Sequence, residues 1–438
     1  MKFGVFYEHQ LPRPWKEDSE QKLFNDALDQ IELADKLGFD YMWEVEHHFL
    51  EEYSHSSAPE VFLGAVSQRT KNLRIGTGIN LTNPYFNHPA RVAERLATLD
   101  LISNGRLDWG TGEGSTLTEL GGFNISLEEK TEMWREGTEQ IANMMAMTPY
   151  PGYNGKYFSM PTRNIVPKPV QKPHPPMWLA CSRRDSIIRA AKIGAGALVF
   201  GFVHPDQARE WVDVYYETIR SEECVPLGHT VNPNIACVTA LSVHENEEEA
   251  LARGIDAFRF FGYSFSYHGV FGEHKPGYTS VWEGFEQARE HLVENAGRGG
   301  MGTPEQVYAH CKGYADAGVD QVIFIQQAGK MKHEHICESM ELFSRDIMPR
   351  FKEGAAAREA KKREELAPFV EAALSRKTYM PVMTEEEVPL LTGIGSRDPT
   401  KDYGGLLLGP GQGVQDKTRG GAIPFQPVDP RKRVASKA

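Results

Sequence analysis

Cysteine is scarce and unpatterned in this chain: five in 438 residues, at Cys181, Cys224, Cys237, Cys311 and Cys337. With no CxxC pair and no Cys/His cluster at zinc spacing, a disulfide framework and a zinc module are both excluded, and no metal is expected. Five thiols in a reducing compartment is the expectation. No run approaches the roughly 20 apolar residues of a membrane span. The opening MKFGVFYEHQLPRPW turns polar after Phe6, so it lacks the apolar core of a secretion signal. A cytoplasmic protein without membrane contact is expected. Basic charge is also in deficit, 48 Lys and Arg against 60 Asp and Glu, a net charge of −12 that argues against a nucleic-acid partner. There is no GxGxxG after the first strand, no P-loop, no GxSxG elbow and no solenoid repeat, which removes those nucleotide, hydrolase and repeat architectures.

What is present is an ordinary globular composition, 40% hydrophobic and 25% charged, in a chain long enough for one large core. Short β-rich runs alternate with helical stripes. Lys2–Tyr7 reads as a strand. Leu23, Ala27, Ile31, Ala34 and Leu37 form a helical stripe that Gly38 stops. Tyr41–Val45, Leu73–Gly78 and Arg106–Thr111 follow as strands, with helices opened by Pro59 and Pro89 between them. Later strands are expected at Met177–Ala180, Ala197–Phe200, Asn234–Val243 and Val319–Ile325, the last after a helix starting at Thr303-Pro304-Glu305. Eight strands with helical crossovers predict an α/β fold, a closed (β/α)8 TIM barrel, rather than an open doubly wound sheet.

Two stretches break the rhythm. Residues 244–320, between the seventh and eighth strands, are rich in aromatics (Phe258, Phe260, Phe261, Tyr263, Phe265, Tyr267, Phe271) and read either as a lid insertion or as an extra packed helix pair. After residue 353 come a charged helix and then, from Thr384 to Ala438, nine Gly and six Pro in 55 residues, too few core formers for an independent fold. The expected organisation is therefore a barrel over 1–353, with a C-terminal helix and Gly/Pro-rich tail over 354–438.

In a barrel, chemistry sits at the C-terminal ends of the strands. Strand two ends in Glu46-His47-His48-Phe49, which puts proton-handling imidazole at the mouth. Strand three ends in Gly76-Thr77-Gly78-Ile79-Asn80 and strand four in Gly110-Thr111-Gly112-Glu113-Gly114-Ser115; glycines there let a flat or phosphorylated ligand approach the backbone. Strand five leads into Cys181-Ser182-Arg183-Arg184-Asp185-Ser186 and a helix, a cap that also suits an anion such as phosphate. A barrel hydrolase using Glu44 and Glu46 is a further possibility, since residues two apart on a strand share a face.

Taken in order, MKFGVF, GFDYMWEVEHHF, NLRIGTGINL, NHPARVAERLATLDLISNGRLDWGTGEG, PKPVQKPHPPMWLA, GTPEQV and MELFSRDIMPRFKE resemble the bacterial luciferase-like family of flavin-dependent monooxygenases from Met1 to about Glu353. The resemblance implies the TIM barrel and reduced FMN supplied by a separate NAD(P)H:flavin reductase. It also implies O2 as co-substrate and oxygenation of a small-to-medium apolar compound through a flavin C4a-hydroperoxide. His47 matches the family's catalytic histidine. Thr77, Gly78 and Ile79 match the segment under the flavin ring, with a non-proline cis peptide at Gly78–Ile79, and Gly112 and Glu113 lie in the next cofactor-facing loop. Ser182 and Arg183 match the phosphate loop. Glu113 departs from the Arg of many relatives; Arg183 or Arg184 would then compensate, or Glu113 would face the ribityl hydroxyls or the substrate. A homodimer through the early helices is implied too. The same barrel serves a deazaflavin (F420)-dependent oxidoreductase branch and non-catalytic flavin-binding subunits, the two alternatives.

Overall fold

The computed structural model describes residues 1–291 and 299–391. Residues 1–382 form one compact unit and 383–438 a second. Of the tail expected over 384–438, residues 392–438 lie outside the described residues.

Strands β1 (Lys2–Tyr7), β2 (Tyr41–Val45), β3 (Arg74–Leu81), β4 (Leu107–Gly112), β7 (Met177–Cys181), β8 (Gly196–Val199), β9 (Ile235–Val243) and β11 (Gln321–Gln326) pair in parallel, in that order. The pairing of β11 back onto β1, Lys2 with Gln321 through Tyr7 with Gln326, closes the barrel. Chain order becomes spatial order because each strand returns through a helix on the outside. The proline and glycine signals act as expected. Pro59 and Pro89 occupy the first turns of their helices, Gly38 (φ 87°) and Gly318 (φ 90°) end theirs in the left-handed region, and Thr303 caps Pro304–Ala317 with Gln306 answering in a capping box.

Two elements go beyond the sequence reading. An antiparallel hairpin, β5 (Tyr150–Asn154) with β6 (Ser159–Arg163), interrupts the run between β4 and β7. A short strand, β10 (Gly300–Gly302), pairs with the end of β9. The C-terminal helix runs from Ala355 to Arg376 within the first unit, where Lys362 donates to Asp320 and Asn234 (both 2.7 Å) beside the starts of β11 and β9.

The barrel interior is plugged by Trp43 and Trp178, edge to face at 5.3 Å between ring centroids. Gly76 makes this possible, because a Cβ there would lie 2.1 Å from the Trp43 ring. Toward the C-terminal ends of the strands, Phe6, Phe200 and Ile79 share one apolar cluster with the Trp43–Trp178 pair, Phe6 and Phe200 with ring centroids 5.1 Å apart.

Candidate active site

His47 follows β2 and stands between two carboxylates from distant parts of the chain. Its Nδ1 lies 2.9 Å from Glu119 Oε1, and its Nε2 lies 3.6 Å from Glu8 Oε2. Glu8 follows β1. Glu119 sits in the short helix Leu117–Gly122, where Thr116 caps the first turn and its hydroxyl donates to Glu119 Oε2 (2.8 Å). The His48 amide donates to Glu119 Oε1 (3.1 Å). Tyr53 completes the group, its hydroxyl donating to Glu8 Oε1 at 2.9 Å.

The electrostatics follow from burial and sign. Burial opposes a charge on His47, but Glu119 and Glu8 outweigh it and raise the imidazole to about 9. Burial pushes Glu119 up as well, yet His47, the Thr116 hydroxyl and the His48 amide hold it below the usual carboxylate range. Burial lifts Glu8 to about 7, against the opposing pull of His47 and Tyr53. At neutral pH His47 is therefore a cation paired with ionised Glu119. Because a carboxylate only accepts, Nδ1 carries a hydrogen toward Glu119 and Nε2–H is left for the mouth. The sequence marks His47 as a proton-handling imidazole; its tertiary surroundings make it an acid.

His48 faces the other way. Its Nε2 meets Glu46 Oε1 at 3.2 Å and its ring packs edge-on to Phe123. Glu46 is already committed, accepting from the Leu81 amide and from Asn87 (both 2.8 Å), while Glu44 accepts from Ser56 (2.7 Å) and pairs with His9 (3.3 Å). Both carboxylates lie outside the barrel wall, so the Glu44/Glu46 hydrolase pair does not form at the mouth.

Thr77, Gly78, Ile79 and Gly112 come together on adjacent strands. Thr77 is fully buried and its hydroxyl bridges to Gly110, accepting from the amide (2.8 Å) and donating to the carbonyl (3.0 Å). The expected cis peptide at Gly78–Ile79 is a correction: among the described residues every cis bond precedes a proline. The irregularity is a bulge. Glu44 pairs with Thr77 and Val45 with Ile79, leaving Gly78 unpaired. Gly112 leaves room for Ile79, whose Cδ1 would sit 2.5 Å from a Cβ at that position.

Glu113 engages neither Arg183 nor Arg184. It accepts from Thr131, lies 3.2 Å from Arg189 Nη2 and 3.7 Å from Lys130 Nζ, and Arg184 turns to Glu210 (3.2 Å). Burial pushes Glu113 up, but the Thr131 hydroxyl and the two cations prevail and keep it ionised. The Ser182 and Arg183 amides both donate to the hydroxyl of Ser186 (3.1 Å each), the third residue of the helix Arg184–Lys192.

The aromatic-rich insertion contains the expected packed helix pair. On helix Glu247–Ser266, Phe260 and Tyr263 pack against Phe285 of helix Val281–Ala288, an added helix pair. The opposite face carries Phe261 and Phe265 to Tyr53, with Phe258 and Phe261 meeting Phe202. The loop just after His47 holds this insertion. Glu52 accepts from the Val281 (2.6 Å) and Trp282 (3.0 Å) amides, and the Glu51 carbonyl faces His268 Nε2 (3.0 Å). Sequence reasoning missed Glu8, Glu119 and Tyr53. Glu8 directly follows the first strand, and the barrel rule applied to β1 would have found it; nothing local marks Glu119.

Among the described residues no cluster of His, Cys, Asp or Glu is placed to hold a metal, and no helix is long and apolar enough to cross a membrane. All five cysteines are free.

Residues 1–321 match the family model described as luciferase-like monooxygenase. The chain is 25% identical over 368 residues to the oxygenase component of a flavin-dependent trigonelline monooxygenase from Acinetobacter baylyi, covering 82% of this chain and 98% of that one. Two uncharacterised proteins of Sinorhizobium fredii, 35% and 26% identical, align over only about half of their own length. The crystal structure of monooxygenase RslO1 from Streptomyces bottropensis superposes with a TM-score of 0.65 at 27% identity, over 80% of this chain and all of that one. The coenzyme F420-dependent tetrahydromethanopterin reductase of Methanopyrus kandleri shares the fold at 22% identity and a TM-score of 0.60, over 80% of this chain and 99% of that one. With a closed eight-stranded parallel barrel and a family match over most of its length, this chain belongs to the luciferase-like monooxygenase family of oxidoreductases.

Proposed function

We propose that the protein is the oxygenase component of a two-component, FMN-dependent monooxygenase acting on a small-to-medium apolar substrate. The observation that carries this reading is His47, held cationic by Glu119, with its Nε2 3.6 Å from Glu8 Oε2 and in no hydrogen bond. The residues fit the cofactor. Ile79, Phe6 and Phe200 supply an apolar floor for the flavin ring, with Gly78 and Gly112 allowing close approach. The Ser182 hydroxyl and Arg183 guanidinium, beside amides already given to Ser186, would supply the donors for its phosphate. Glu113, with Thr131 and the two cations, stands at the end of the neighbouring strand as a polar wall for the ribityl chain.

Reduced FMN supplied by a separate NAD(P)H:flavin reductase would activate O2 so that one oxygen atom enters the substrate and the other leaves as water. His47 gives the proton at Nε2 to oxygen in the mouth, and Glu119 fixes the ring and stabilises its charge. Tyr53, Phe258, Phe261 and Phe265 keep water out, so the insertion within 244–320 acts as a lid. A cytoplasmic homodimer completes the proposal.

The test is a substrate screen with the purified chain, FMN, an unrelated flavin reductase, NADH and O2, following products by mass spectrometry and peroxide release. The F420-dependent reductase that shares this fold favours the second reading, hydride transfer with deazaflavin. Stoichiometric F420 binding with no affinity for FMN would establish that reading and overturn the first.

A further inference from the structure

Glu8 is placed behind His47. One of its oxygens, Oε1, is pinned by the Tyr53 hydroxyl at 2.9 Å. The other, Oε2, is buried, has no hydrogen-bond partner and lies 3.6 Å from His47 Nε2. A buried carboxylate oxygen without a donor is costly, whereas a carboxylic acid there carries its own hydrogen. The titratable groups facing Glu8 are His47 and Tyr53 from β2 and its following loop, Glu119 from helix Leu117–Gly122, and His9 on its own segment. Tyr53 occupies Oε1 and Glu119 bonds the far side of the His47 ring, so the Oε2 side is left to His47.

We propose that Glu8 is the proton reserve of this site, a positioning residue that returns a proton to His47 Nε2 after His47 has given one up in the mouth. The inference rests on the reading of His47 as proton donor. In the step, the Oε2–H bond breaks and an Nε2–H bond forms; carboxylic acid and neutral imidazole become carboxylate and imidazolium, and net charge is unchanged. The gap exceeds a hydrogen bond by less than an ångström, within reach of a small ring rotation once Nε2 has lost its proton. The direction is downhill, because Glu8 holds its proton to about pH 7 and His47 to about 9. Water restores the Glu8 proton when the insertion opens.

Two measurements test this. In flavin-free protein labelled with 15N-histidine, the His47 resonances should titrate in two steps, near 7 and near 9. Glu8→Gln should abolish the lower step, and Glu8→Asp should retain it. In oxygenation assays Glu8→Gln should slow steady-state turnover at least tenfold, and more than it slows the first turnover, a part of the roughly 10²–10⁴-fold of positioned acid–base groups. Glu8→Asp should recover part of that loss. A single-step His47 titration in the parent, or a steady-state rate in Glu8→Gln equal to the parent's, overturns the proposal. If no variant and no parent oxygenates anything, the FMN reading fails while the titration still decides whether Glu8 and His47 share a proton system.

Discussion

Replacing Glu119 by Gln removes one negative charge and keeps the shape of the side chain, which makes it the sharpest probe of the site. The carboxylate lies 2.9 Å from His47 Nδ1; Glu119 is fully buried and the His47 side chain 16% exposed. At an effective dielectric of 20, two unit charges about 4 Å apart interact by roughly 4 kcal/mol, equivalent to about 3 pKa units. An opposite charge at this range shifts a neighbour by about 1–3 units. His47 should therefore fall from about 9 to between roughly 6 and 8, because burial, which opposes its charge, then faces only Glu8 and the weaker pull of Glu46. The assay is the pH dependence of coupled oxygenation, with His47 followed by NMR. The alkaline fall in rate should move down by the same 1–3 units. Stability provides a second readout. His47 has a raised folded value, so its contribution is complete below its unfolded value of about 6.5 and is lost as pH rises through 9. Glu119 has a depressed value, so its contribution is present above about 4.3 and is lost as pH falls through the folded value. Breaking the buried pair should cost roughly 3–5 kcal/mol near neutrality, and the gap to the parent should narrow above pH 9. A His47 titration that stays within half a unit of the parent would refute the argument, since the pair would then be a contact without electrostatic consequence.

Three further outcomes follow from the geometry. His47→Ala should fold and bind FMN but lose about 10²–10⁴-fold in oxygenation and release hydrogen peroxide instead, measured by coupled turnover with peroxide detection; parental oxygenation would make this histidine structural. Gly76→Ala should destabilise by roughly 1–3 kcal/mol or more, because its Cβ meets the confined Trp43 ring; an unchanged denaturation midpoint would show that the ring can yield. Arg183→Ala should weaken FMN binding about tenfold while leaving riboflavin binding unchanged, whereas Arg184→Ala, turned toward Glu210, should have little effect on either; equal losses for both flavins would place the phosphate elsewhere.

The barrel was legible because its evidence is local and repeated. Helix stripes, proline starts and glycine stops act within a turn or two of the chain, through hydrogen-bond rings and φ preferences that the residue itself dictates. Eight such strand-and-helix units can close in few ways, and the match of Thr303, Pro304 and Gly318 to their caps shows how closely residue type tracks backbone state. The same locality put His47 at the end of its strand. The hairpin Tyr150–Asn154 with Ser159–Arg163 escaped notice, since its strands are short, only half buried and lack a strict alternation.

The chemistry of the site is a different matter. Charge on His47 depends on Glu8, 39 positions earlier, and Glu119, 72 positions later. Position after a strand marks Glu8 and nothing local marks Glu119, and both act through distances of a few ångströms that exist only when three strand-end loops converge. Likewise, Glu113 finds Arg189 and Lys130 rather than the two arginines nearest the phosphate loop in sequence, because side-chain reach across a barrel rim, not spacing along the chain, selects the partner. Residue identity by itself determined the barrel and the place of its imidazole. The tertiary structure alone decided which protons that imidazole holds, because Coulomb energy and desolvation depend on where groups lie in space and not on their order in the chain.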